Sequence, residues 1–119
     1  EQIHATNHLR ELKGIKASEE SLQSAIDGET YEVEEMYPAY KVVADLEGEE
    51  GGVRSISWAL EAEKIHAQMY KEAKAAVEKG EDLEIDPLYI CQVCGHTVAG
   101  GPPERCPICG AKREKYRKF

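Results

Sequence analysis

Over the first eighty positions apolar residues stand singly or in short groups among charged ones, a pattern of partly buried helices. The longest apolar runs are only a few residues, too short for a membrane-spanning helix or the apolar part of a secretion signal. Three helical segments are expected. The first runs from Glu1 to about Lys13 and is stopped by Gly14. The second starts after Ser18, a candidate N-cap followed by Glu19 and Glu20, whose charges suit the positive end of a helix dipole. It continues to about Leu46, with Ala25, Ile26, Met36, Val43 and Leu46 among its apolar positions. Pro38 lies inside it and predicts a kink, because proline lacks the amide N–H and crowds the preceding turn. The third follows the glycine- and glutamate-rich stretch 47–52 and runs to about Lys79. These segments make a helical hairpin plus one orphan helix, too few for a complete bundle.

Composition then divides the chain. Residues 1–80 hold one proline and no cysteine, whereas the rest holds all four cysteines and four of the five prolines. Gly80 is a helix stop and Asp86-Pro87 an extended or turn element. The expected organisation is a helical domain over 1–80, a linker over 81–87 and a cysteine domain over 88–119. Fifteen basic against 23 acidic side chains give a net charge of −8, which argues against nucleic acid and anionic membranes as partners. The absence of any export signal points to the cytoplasm. The chain opens Glu1-Gln2-Ile3-His4, without an initiator Met or a capping residue, as if a helix had been cut, and reads as part of a longer protein.

Cys91-Gln-Val-Cys94 and Cys106-Pro-Ile-Cys109 are two CxxC knuckles separated by eleven residues. Two knuckles present four thiolates tetrahedrally, which suits Zn²⁺ or a single iron. The competing reading, two disulfides in a secreted domain, is disfavoured by the missing export signal and by the Cys-Gly turns that close both knuckles. Spacing alone leaves zinc and iron open.

A residue three positions along a helix returns to nearly the same face. Glu1-x-x-His4 and Glu63-x-x-His66 are therefore two Glu/His pairs, each aimed from one face, and Glu29-x-x-Glu32 is a third pair on the middle helix. Two ExxH pairs with facing glutamates are the known ligand pattern of di-iron carboxylate bundles, in which hard carboxylates bridge and charge-balance the metals while imidazoles tune them. Each pair alone is weak, since glutamates in an acidic helix usually just face water. Their combination with a downstream Cys₄ site is much harder to obtain by chance. His8 and His96 are read as non-ligands. Tyr37 and Tyr70 are either core residues or donors of a hydrogen bond or electron close to the metals.

With these residues in place the chain resembles the rubrerythrins along its whole length. Gly28-Glu29-Thr-Tyr31-Glu32 followed by Met36-Tyr37-Pro38 is similar to that family's third-helix signature. Ala62-Glu63-Lys-Ile-His66 is similar to its fourth-helix ExxH, and Cys91–Cys109 to its truncated rubredoxin-like module. The resemblance implies a mainly α fold. A ferritin-like four-helix bundle, incomplete in this chain, would be joined to a small C-terminal rubredoxin-like metal-binding domain of strands and loops. It also implies a di-iron centre held by Glu1, His4, Glu29, Glu32, Glu63 and His66, with Tyr37 standing behind the ligands. Cys91, Cys94, Cys106 and Cys109 would hold one iron, with zinc as the alternative. The implied activity is an NAD(P)H-linked peroxidase that reduces hydrogen peroxide to water in oxidative-stress defence. Its electrons would come from a rubredoxin or an NAD(P)H-dependent reductase through the Fe(Cys)₄ centre, with Glu29, Glu32, Glu63, His66 and Tyr37 at the catalytic site. The family's first helix, with one further glutamate ligand, has no counterpart here and is expected upstream or in another chain.

The rivals are a ferroxidase using oxygen, and an iron-storage bundle with a structural zinc ribbon. Colour separates iron from zinc in the cysteine site, because oxidised Fe(Cys)₄ is red and zinc colourless. Helix lengths add an expectation about assembly. From His4 to Lys13 the chain climbs roughly 14 Å past the site, and a helix beginning near Glu19 starts roughly 15 Å before it. The linker 14–18 can return only about 20 Å of the required distance of about 30 Å. A domain-swapped homodimer resolves the mismatch, with Glu1 and His4 of one chain facing Glu29, Glu32, Glu63 and His66 of another.

Overall fold

The computed structural model describes residues 1–119. Helix α1 spans Gln2–Glu11, and helix α2 spans Ser18–Tyr31. A π-helical turn over Glu32–Met36 follows without a break and leads into α3, Tyr37–Leu46. Helix α4 is the long one, Glu50–Glu78. After it, β1 (Leu88–Cys91), β2 (Thr97–Ala99) and β3 (Tyr116–Lys118) form a three-stranded antiparallel sheet in the order β2-β1-β3. Ile90 pairs with Thr97 on one side and with Arg117 on the other.

Two local boundaries are corrected, and the disturbance expected at Pro38 takes the form of a π turn. Ser18 is the first residue of α2 rather than its cap: Ala17 occupies the cap position in an extended conformation, and no side chain caps this end. Pro38 sits in the first turn of α3, directly after the π turn, in which Tyr37 N–H donates to the Glu32 carbonyl. Helix α4 begins at Glu50, before rather than after the glycine pair. Glycine costs little in a first turn, whose amides lack intrahelical partners anyway. Gly52 packs against α3: a Cβ there would stand 3.5 Å from the Cβ of Ala44, an ordinary van der Waals contact.

Helices α2 and α3 pack along α4 as two arms of a hairpin. Their shared core is thin: Ile26, Ala44, Ala62 and Ala67 are the only buried residues of the helical part. Tyr31, Tyr40, Val42, Val43 and Leu46 all remain more than half exposed, with Leu46 at 83%. Helix α1 buries nothing, and Ile3 and Leu12 stand 75% and 78% exposed. The orphan helix expected from the sequence is thus an unpacked helix. The sheet and its loops rest on α4, where the backbone of Gly95 lies over Ala62 so closely that a Cβ on Gly95 would stand 3.7 Å from the Ala62 Cβ.

Candidate metal centres

The first centre is built by α2 and α4. Glu29, one residue after the glycine of α2, and the pair Glu63 and His66 of α4 offer ligand atoms that all lie within 4.8 Å of one another. His66 Nδ1 is 2.6 Å from Glu63 Oε2. Its other ring nitrogen, Nε2, is 2.9 Å from Thr97 Oγ1 of β2. Burial and a hydrogen bond shared with Glu63 push the Glu29 carboxyl up to about 7. The Glu63 charge adds to this, opposed by the His66 charge. Tyr37 lies close enough to feel the same carboxylates: burial, then Glu63, Glu32 and Glu29, raise its phenol and keep it protonated.

A cation fits this set. Glu29 Oε2 is a buried acceptor without a hydrogen-bond partner, an arrangement that costs free energy until something positive meets it. Two carboxylates and one imidazole are the donors iron accepts. Glu32 begins the π turn, and its carboxylate lies outside the cluster, near enough to raise Glu29 and Tyr37. Glu1 and His4 are not brought to this site. They face each other at 3.7 Å on α1, with side chains 99% and 68% exposed. Tyr70 is partly exposed and lines a cavity of about 350 Å³ between α4 and the sheet, next to His66 and Met69.

The second centre is built by the two knuckles. All four cysteines are free thiols, and their sulfurs lie within 4.8 Å of one another, Cys91 to Cys109 at 3.7 Å and Cys94 to Cys106 at 3.4 Å. Each knuckle is closed by a glycine at positive φ, Gly95 at 82° and Gly110 at 74°, where a side chain would strain the turn. Their amides donate to the Cys91 and Cys106 carbonyls at 3.0 and 2.9 Å. Burial pushes the Cys106 thiol up, but the Tyr116 hydroxyl and the amides of Cys109 and Ile108 outweigh it and bring it to about 6. Burial raises Cys94 and Cys109. A cluster of thiols of which one already ionises readily is prepared for a cation.

His96 and Thr97, just past the first knuckle, were not legible as part of either centre. His96 is buried, with Nδ1 2.7 Å from the Tyr116 hydroxyl and the two rings edge to face at 5.8 Å. Burial, and then the charge of His66, lower its pKa and keep it neutral. Thr97 joins the two centres. No spacing rule announces that role, because it depends on how the sheet docks on α4.

Fold and sites together define a two-centre metalloprotein, a carboxylate–histidine site in a helical bundle joined to a four-cysteine module. The rubrerythrin family profile matches residues 1–74, and the profile of the rubrerythrin rubredoxin-like domain matches residues 89–117. Rubrerythrin-2 of Clostridium acetobutylicum is 38% identical over 133 residues, spanning 100% of this chain and 72% of the relative. Nigerythrin of Nitratidesulfovibrio vulgaris is 32% identical over 99 residues, 83% of this chain and 48% of its own length. A nigerythrin structure in the fully reduced, all-ferrous state superposes with a TM-score of 0.74 at 31% identity, covering 85% of this chain and 48% of that one. The chain belongs to the rubrerythrin family. Its fold is mainly helical, a ferritin-like part followed by a rubredoxin-like module, and its metal complement is a di-iron site and a metal at the four cysteines. It spans about half the length of the nigerythrin it matches. No helix is long and apolar enough to cross a membrane.

Proposed function

We propose that the assembled protein is a non-haem di-iron peroxidase. Hydrogen peroxide takes two electrons and two protons and leaves as two waters. A di-iron centre held at the helical site would supply the electrons, and a rubredoxin or an NAD(P)H-dependent reductase would replenish them through iron held by the four cysteines. One observation carries this reading: His66, a ligand candidate of the helical site, touches Thr97 of the cysteine module at 2.9 Å, so the two centres abut.

This chain's own groups have definite tasks. Glu29, Glu63 and His66 bind the metal, and Glu32, on the same stretch, is available to move in as charge changes. In the metal-free chain burial and Glu63 hold Glu29 up to about 7, so metal capture at this site releases a proton near neutrality. Tyr37 stays protonated and keeps its O–H for donation toward reduced oxygen. The four thiolates would hold the relay iron, and Cys94 and Cys109, both only half-buried, leave that side of the module open to an external donor.

The site is completed by a second copy. Helix α1 carries His4, with Glu1 at its N-cap, away from the in-chain cluster and exposes its apolar residues Ile3 and Leu9. A swapped homodimer returns that helix to a partner's hairpin. Size-exclusion chromatography with light scattering should give a dimer. A monomer carrying its full metal content would refute the swap.

The activity is tested anaerobically, with iron-loaded protein, a rubredoxin, its NAD(P)H-dependent reductase and hydrogen peroxide. Peroxide-dependent NAD(P)H oxidation well above the rate with oxygen is expected. Turnover with oxygen and ferrous ion alone would make the protein a ferroxidase, and a colourless zinc-loaded cysteine site in native material would remove the relay.

A further inference from the structure

We infer that Thr97 is a positioning residue that fixes the tautomer of His66, and so couples metal capture by the helical site to docking of the cysteine module. The inference rests on the metal-site reading above.

Thr97 is buried at 8% exposure, and its hydroxyl carries a single proton. Its Oγ1 donates that proton to the Gly95 carbonyl at 3.1 Å. The same Oγ1 lies 2.9 Å from His66 Nε2; with its own proton on the Gly95 carbonyl it accepts there, and the imidazole donates from Nε2. A neutral His66 then has no proton on Nδ1. That bare nitrogen faces Glu63 Oε2 at 2.6 Å, one acceptor against another, with the unpartnered Glu29 Oε2 in the same cluster. The ring nitrogen and the two carboxyl groups converge within 4.8 Å, as the ligands of one cation do. Metal-bound histidines characteristically donate their remote N–H to a fixed partner, which sets ring orientation and raises ligand basicity. Here that partner comes from a different part of the chain, 31 residues away in sequence.

The partner is itself held. Gly95 directly follows Cys94, and its amide closes the first knuckle onto the Cys91 carbonyl at 3.0 Å. The chain of bonds therefore runs from His66 Nε2–H to Thr97 Oγ1, from Thr97 O–H to the Gly95 carbonyl, and on into the knuckle. Gly95 also packs over Ala62, which is 1% exposed, where the knuckle meets α4. An undocked module leaves His66 free to hold its proton on Nδ1, where it blocks the metal.

Thr97→Val keeps the side-chain shape and removes the hydroxyl, and Thr97→Ser restores it. Two readouts are taken on full-length protein with zinc in the cysteine site. Long-range ¹H–¹⁵N NMR reports the His66 tautomer before the helical site is loaded, and anaerobic calorimetry with ferrous ion reports the affinity of that site. The expected wild-type result is the Nε2–H tautomer and ferrous binding. Thr97→Val should show mixed tautomers and about ten- to hundredfold weaker binding, the usual loss when such a partner is removed. Thr97→Ser should recover both. Wild-type binding with the same affinity and tautomer in Thr97→Val would overturn the inference while leaving the metal site standing. No ferrous binding by the wild type would overturn the metal-site reading and this inference with it.

Discussion

Tyr116→Phe isolates the hydrogen bond that the cysteine module makes to its own metal ligand. The ring stays, so the edge-to-face packing on His96 at 5.8 Å is retained, and only the hydroxyl leaves. That hydroxyl donates to Cys106, a sulfur 3% exposed, and accepts from His96 Nδ1 at 2.7 Å. Two costs follow. The buried His96 N–H loses its acceptor, which destabilises the module by about 1–3 kcal/mol. The sulfur loses a donor whose bond is stronger when the metal is reduced and the thiolate more negative, so the reduced state suffers more. If the differential is about 1 kcal/mol, roughly two-thirds of the hydrogen bond's own worth, the one-electron potential falls by ~40 mV, at 59 mV per tenfold. Spectroelectrochemical titration of the visible band of the iron-loaded cysteine site measures this directly, with metal content as the control. An unchanged or more positive potential would refute the donation to Cys106.

Glu63→Ala and His66→Ala should each abolish peroxide turnover while leaving the spectrum of the cysteine-bound iron intact, because the two ligand sets come from separate elements; steady-state NAD(P)H oxidation and the visible spectrum check both halves. Glu29→Gln should stabilise the metal-free protein increasingly as pH rises. The folded-state carboxyl is raised from 4.5 to about 7, so its favourable contribution is complete below the unfolded value and is lost as pH climbs through 7, whereas the amide stays neutral. Thermal melts of both proteins at pH 5 and pH 8 test this, and an equal gap at the two pH values would contradict it.

What the sequence made legible is what spacing encodes. Both CxxC knuckles bring their sulfurs together because the reversal is local, two residues and a glycine at positive φ. Glu63 and His66 converge because three residues on an unbroken α-helix return to one face. The Glu29–Glu32 pair obeyed that rule less well. Glu32 opens a π turn, whose bonds run five residues back rather than four, and Pro38 hints at such a turn only through its missing N–H. Thr97 was invisible, since its partner is met only when β2 lands on α4, and Tyr116 escaped notice because its partners are 10 and 20 residues away. Helix α1 marks the other limit: its ExxH spacing is regular, yet a regular helix with no neighbour positions nothing.

The central claim is that peroxide oxidises the cysteine-bound iron through the helical site. Fully reduced, iron-loaded protein is mixed anaerobically with hydrogen peroxide in a stopped-flow instrument, and the visible absorption of the oxidised Fe(Cys)₄ centre is followed in the wild type and in His66→Ala. The account predicts that colour returns rapidly in the wild type, with two electrons removed per peroxide, and that His66→Ala stays bleached. Equal rates in the two proteins, or a wild type that peroxide leaves reduced while oxygen oxidises it, would contradict it.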